Sequence, residues 1–177
     1  KNSETKFRIA LQDLKQEQND INADIVTLEK QIREKVQKGG LEKLKQLGDV
    51  IFGWPIPNAG ITAFFHDQDY PFRYVFEHPA IDIRAPQGSP VRAAASGFVG
   101  RTKIGSKTAR GYGYSYVMII HNDGFSTVYG HLSQILVEED QFVNQGDIIA
   151  YSGGRPGTPG AGPLTTGPHL HFEVRVN

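Results

Sequence analysis

Residues 116–130 read YVMIIHNDGFSTVYG. Two apolar or β-branched runs, Tyr116–His121 and Ser126–Tyr129, flank Asn122-Asp123-Gly124. Asn, Asp and Gly tolerate the positive φ that a tight hairpin demands, so this stretch predicts two antiparallel strands. The same texture extends to both sides. Val91–Ala95, Gly97–Ile104, Gln134–Val137, Ile148–Tyr151 and His169–Val176 are short β-rich runs bounded by Gly, Pro, Asn and Asp. No helical period of useful length occurs after residue 50, which predicts a mainly-β, antiparallel domain over 52–177. Residues 153–168, GGRPGTPGAGPLTTGP, are too rich in Gly and Pro for regular structure. They read as a long loop leading into the last strand, and a loop of that length is usually functional or disordered.

Upstream the pattern changes. Phe7, Leu14, Ile21 and Leu28 lie seven apart, and Leu11, Ile25 and Ile32 form a second row in which Gln18 fills the remaining place. The rows interleave at spacings of four and three, a heptad seam. One long coiled-coil helix is expected over 3–36, within a segment 1–38. Its narrow apolar stripe calls for a partner helix, either a second copy or an upstream helix folding back. The alternative is a helix lying on the surface of its own domain. Gly39-Gly40 ends the run, and Leu41, Leu44 and Leu47 predict a short helical linker over 39–51.

The 177 residues carry 19 basic and 19 acidic side chains, a formal net charge of +0. That balance gives no electrostatic case for nucleic acid or an anionic membrane. There is no cysteine, which excludes disulfides and thiolate-bound zinc. No apolar run approaches the roughly 18–20 residues that span a bilayer, so no transmembrane segment is expected here. The chain opens at Lys1 inside a helical pattern without a signal peptide, which suggests a piece whose targeting region lies upstream.

Chemistry concentrates in six histidines: His66, His78, His121, His131, His169 and His171. His78-Pro-Ala-Ile-Asp82 sets two zinc-capable donors four apart, able to converge from a tight turn entering a strand. In His169-Leu170-His171 the two imidazoles share a strand face, roughly 6–7 Å apart at their bases. Tyr129-Gly130-His131-Leu132 adds a histidine after a strand end. Nitrogen and oxygen donors, three from protein with one position open, compose a catalytic zinc site. His121, at the end of a strand before the turn, reads as structural.

The ordered blocks H-x-x-x-D at 78–82, Y-G-H-L at 129–132 and H-L-H-F-E at 169–173 resemble the lysostaphin-type, or LytM-like, zinc metallopeptidases. Trp54-Pro-Ile-Pro, Ala85-Pro-x-Gly-Ser-Pro-Val and Val143-Asn-x-Gly-Asp147-Ile-Ile-Ala-Tyr-Ser-Gly support the match over about residues 52–177. The resemblance implies a zinc ion bound by His78, Asp82 and His171, with His131 and His169 as catalytic non-ligands. It implies a zinc endopeptidase cutting peptidoglycan stems or cross-bridges in the bacterial cell envelope or outside the cell. His169, beside a ligand on one strand, is preferred as general base, with His131 the other candidate. Glu173 shares the face of His169 and His171 and could orient one imidazole, although an ordinary strand carboxylate is the simpler reading. Two departures stand out. Ala80 occupies a position where many members have Gly, and the stretch His66–Tyr74 is longer and more polar than the usual turn. Within it Tyr70 or Tyr74 could supply a phenol, and His66 or Asp67 could fill the open metal position of a latent enzyme.

Two other functions compete. The chain could be a non-catalytic or latent regulator that activates another cell-wall hydrolase, but all five key positions are intact. A lipoyl-type carrier would need a lysine at an exposed hairpin tip, and Asn122-Asp123-Gly124 has none.

Overall fold

The computed structural model describes residues 2–39, 41–74, 76–108 and 111–176, without the side chains of 2–7, 9–10, 13–14, 17–18, 35–39, 41 and 108. The side chains of the expected seam positions Phe7, Leu14 and Gln18, and that of Leu41, therefore lie outside what is described. Two helices, α1 (Asn2–Gly39) and α2 (Leu41–Lys45), precede β1 (Ile61–Ala63), β2 (Ile81–Arg84), β3 (Pro90–Arg92), β4 (Gly97–Lys103), β5 (Lys107–Thr108) and β6 (Gly111–Tyr112). Then follow β7 (Tyr116–Ile120), β8 (Phe125–Gly130), β9 (Leu132–Ile135), β10 (Phe142–Val143), β11 (Ile148–Ser152) and β12 (His169–Val176).

The strands build a seven-stranded antiparallel sheet in the order β1-β2-β12-β8-β7-β4-β10, a three-stranded sheet β3-β11-β9 and the small hairpin β5-β6. Asp123 and Gly124 both take positive φ, 54° and 79°, and Phe125 N–H donates to the Asn122 carbonyl at 3.1 Å. The β7–β8 connection is thus the tight turn that its residues favour. The run expected over Val91–Ala95 is shorter. Strand β3 stops at Arg92, and Ala93, Ala94 and Ala95 form a buried bend. Residues 153–168 hold no strand or helix, only the isolated bridges at Gly153 and Ala161.

Strand β7 is buried at all five positions. Val117 and Ile119 join Val99, Tyr129, Leu170, Ile149, Ala150 and Leu132 in the core between the two sheets. Tyr116, Met118 and Ile120 belong to a second cluster with Val128, Ile21 and Ile25. Successive strand residues point to opposite faces, so burial on both sides turns an alternating pattern into a continuous apolar run. Each fully buried aliphatic side chain contributes roughly 1.5–3 kcal/mol.

That second cluster corrects the expectation of a partner helix. Ile21 and Ile25 are buried against the large sheet, with Leu28 and Ile32 half-buried beside them. These four are seam positions, and the sheet takes the stripe that a second helix would have covered. A coiled-coil partner is not supported, and the surface-helix alternative describes this half of α1. Glu29, one place beyond Leu28, is also buried, and its carboxylate lies 3.0 Å from Arg33 and 3.4 Å from Arg175 and accepts a hydrogen bond from Ser126.

Candidate active site

Sheet register assembles the site. His171 of β12 pairs with Asp82 of β2 on one side and with Gly130 of β8 on the other. His131 follows Gly130, and its φ of 56° turns the chain sharply before β9. That left-handed conformation is uncommon outside Gly and tends to occur at functional sites. Gly130 is required by packing, because a Cβ there would sit 1.7 Å from Tyr114 Oη.

His78, Asp82 and His171 each offer a donor atom, and the three atoms lie within 4.8 Å of one another. His78 Nε2 is 3.2 Å and His171 Nδ1 3.3 Å from Asp82 Oδ1. The other ring nitrogens are engaged. His78 Nδ1–H donates to the Phe64 carbonyl at 2.9 Å, and His171 Nε2–H donates to Glu173 Oε1 at 3.0 Å. These bonds fix ring orientation and aim the remaining nitrogens at Asp82. His78 Nε2 and Asp82 Oδ1 are buried with no hydrogen-bond partner. Two facing acceptors repel unless a cation or proton lies between them, so the donor set fits a divalent metal ion.

Electrostatics agree. Burial pushes the Asp82 carboxyl up, but the imidazoles of His171 and His78 beside it outweigh burial and hold it far below the carboxylate range. Burial lowers His171, and the hydrogen bonds to Asp82 and Glu173 reverse this and lift it to about 9. Glu173 is itself held by Arg175, whose Nη1 lies 2.8 Å from Oε2. The orienting role considered for Glu173 describes it better than an ordinary strand carboxylate does.

His131 and His169 stand beside this trio, their ring centroids 4.5 Å apart. His131 Nδ1–H donates to the Ala161 carbonyl at 2.6 Å, and His169 Nδ1–H donates to the Gly167 carbonyl at 2.7 Å. Both carbonyls belong to the Gly- and Pro-rich loop, which thereby orients both rings. Burial lowers the pKa of both, and for His131 the neighbouring His169 and His171 add to the effect. Each is a neutral imidazole with Nε2 free to accept a proton.

Other sequence candidates fall elsewhere. Tyr70 stacks on His78 at 4.2 Å between centroids, whereas Tyr74 is exposed beside Arg73. His66 is exposed and pairs with Glu77 at 3.4 Å. Asp67 accepts from the backbone N–H groups of Phe64 and Asp69, so neither acts as a fourth ligand in this arrangement. His121 is buried between the Ser96 carbonyl and Thr127 Oγ1, a structural role. The sequence reading missed Tyr114, whose ring stands edge-on to His131 at 5.0 Å. Its one signal was its place at the end of the Gly- and Tyr-rich run Gly111-Tyr-Gly-Tyr114.

The model of peptidase family M23 matches residues 76–177. The chain is 39% identical over 126 residues to the DD-carboxypeptidase/endopeptidase Mpg of Neisseria meningitidis serogroup B, covering 70% of this chain and 26% of that protein. It is 38% identical over 102 residues to the peptidoglycan DD-endopeptidase ShyB of Vibrio cholerae, covering 58% of this chain and 21% of that protein. The chain thus spans about a quarter of the length of these curated relatives. A zinc-containing peptidase from Vibrio cholerae superposes with a TM-score of 0.54 at 36% identity, covering 71% of this chain and 36% of that one.

Proposed function

The chain belongs to peptidase family M23, and from that premise we propose that it is a zinc-dependent endopeptidase hydrolysing peptide bonds in peptidoglycan stems or cross-bridges, at work in the cell envelope or outside the cell. The observation that carries this reading is the convergence of His78, Asp82 and His171 donor atoms within 4.8 Å, beside two neutral histidines. His78, Asp82 and His171 would hold the ion. Bound zinc supplies Lewis-acid chemistry, polarising a carbonyl and acidifying water.

The chain's own residues do the proton work. With Nδ1–H committed to loop carbonyls, His131 and His169 both enter the reaction as bases. His169, on the strand of His171 and 3.6 Å from Asp82 Oδ2, takes the proton of the attacking water at Nε2. It returns that proton to the amine nitrogen as the C–N bond breaks. His131 is the second acceptor: its Nε2 takes the remaining hydroxyl proton as the tetrahedral intermediate collapses to a carboxylate, and passes it to the departing amine. Tyr114, kept a neutral phenol by burial, is the hydroxyl donor available to the oxyanion.

Purified protein is expected to hold about one zinc per chain, and chelation to abolish digestion of purified peptidoglycan. His171→Ala loses the metal. His169→Ala keeps it and loses roughly 10²–10⁴-fold in rate, the usual contribution of a general base. Full hydrolysis by both variants contradicts the assignment.

A further inference from the structure

Sheet register extends the site one row beyond the metal ligands. Arg84 of β2 pairs with His169 of β12, as Asp82 pairs with His171. Ile83 and Leu170 lie between these pairs and are wholly buried in the core. Asp82, Arg84, His169 and His171 therefore all point to the opposite face. On its other flank His169 bridges Gly153. Arg84, His169 and Gly153 thus form one row, about 7 Å along the strands from the row of Asp82 and His171. Arg84 is exposed, and among the described residues no hydrogen bond or ion pair reaches its guanidinium.

The surroundings leave that cation uncompensated. Its own N–H donates to the Gly60 carbonyl at 2.9 Å. The turn that follows it is tied to the end of β11: Gly88 N–H donates to the Ser152 carbonyl at 2.7 Å, and Ser152 Oγ–H to the Pro86 carbonyl at 2.8 Å. Segments 54–63, 83–92 and 152–168 therefore meet at this end of the site. They contain no Asp or Glu, and the last adds the exposed Arg155, two places past Gly153. An unpaired guanidinium among neutral residues attracts an anion, and its planar fork matches a carboxylate. Reach decides which carboxylate. In the mechanism above His169 returns a proton to the departing amine, so the leaving half of the substrate lies over the row of Arg84. A carboxylate on the carbon next to the leaving nitrogen stands roughly 3–4 Å from the scissile carbonyl carbon. A guanidinium nitrogen bonded to it stands about 3 Å further, which is one row from the metal ligands.

We propose that Arg84 is a specificity-determining residue that receives a free carboxylate borne by the carbon next to the leaving nitrogen. The inference rests on the endopeptidase reading above and narrows its substrate class. Two kinds of stem peptide carry that group. One ends in a free residue just past the scissile bond. The other is cross-linked through a diamino-diacid whose linking amine and a carboxylate share one carbon. A glycyl bridge has a neutral amide at that place and gains nothing from Arg84.

The test compares the zinc-loaded full chain with Arg84→Gln and Arg84→Lys. Binding is read by calorimetry with a phosphinate analogue of alanyl-alanine that ends in a carboxylate or in a carboxamide. Hydrolysis is read as kcat/KM on an uncross-linked stem peptide and on a stem dimer joined through a diamino-diacid, each with the carboxylate in question free or amidated. Wild type is expected to favour the free carboxylate roughly tenfold or more in both readouts, the usual worth of a charge-assisted hydrogen bond. Arg84→Gln is expected to bring that ratio to about one, and Arg84→Lys, a point charge without the fork, to keep part of it. All three proteins are expected to hold equal zinc. Turnover of the stem, the dimer or both identifies the source of the carboxylate. Wild type without the preference overturns the role, as do an undiminished ratio in Arg84→Gln, zinc loss by that variant, or a chain that binds neither phosphinate. Hydrolysis without discrimination removes the subsite and leaves the endopeptidase reading standing. A carboxylate preference in binding with neither substrate hydrolysed sustains the subsite and removes that reading instead.

Discussion

Glu173 decides how His171 presents its ring. The carboxylate takes the Nε2 proton at 3.0 Å and is held in turn by Arg175 at 2.8 Å. That chain leaves Nδ1 for the cation and enriches it with electron density. Glu173→Gln keeps an acceptor but removes the charge, and should weaken zinc binding roughly 10–100-fold. Competition with a chromophoric chelator measures it, and unchanged affinity contradicts the role. At this scale much of the site was legible in the sequence. Spacing alone put His169, His171 and Glu173 on one strand face and set His78 and Asp82 close together. The acceptors that aim the rings were not legible. Phe64, Ala161 and Gly167 act through backbone carbonyls, which have no side-chain signature, and their positions follow from loops without periodicity.

His121 ties elements together. From the end of β7 its Nδ1–H donates to the Ser96 carbonyl, just before β4, and its Nε2 accepts from Thr127 on β8. Burial depresses its pKa from 6.5 to about 4, with a small opposing pull from the Ser96 carbonyl. The folded state therefore holds it neutral while the unfolded chain takes up a proton below 6.5. The stabilisation is fully present above pH 6.5 and is lost as pH falls towards 4, on the order of 3 kcal/mol over that window. Urea midpoints for wild type should fall across it, and His121→Gln should flatten the slope. An equal slope in both proteins contradicts the linkage. Among the elements, the β7–β8 hairpin was plain because its turn residues and flanking runs agree. The partner of α1 was not. A heptad stripe specifies a narrow apolar face, and the sheet face formed by Tyr116, Met118, Ile120 and Val128 satisfies Ile21 and Ile25 as a second helix would. Strand β3 ended early because small residues such as Ala93–Ala95 fit a buried bend as well as a strand.

The molecule as a whole is a large sheet with two occupied faces. One face and the three-stranded sheet enclose the core, and the other bears both the histidine cluster and the docked helix. The antiparallel, mainly-β architecture was written in the alternation of short runs, whereas the docking of α1 depends on a long-range contact between Ile21 and the sheet. The proposed chemistry turns on a metal ion at one place. Anomalous diffraction at the zinc edge, on crystals of the zinc-loaded chain, tests that directly. A single strong peak is predicted about 2.0–2.2 Å from His78 Nε2, an Asp82 carboxylate oxygen and His171 Nδ1. No peak there, or a peak bound by a different set of side chains, contradicts it.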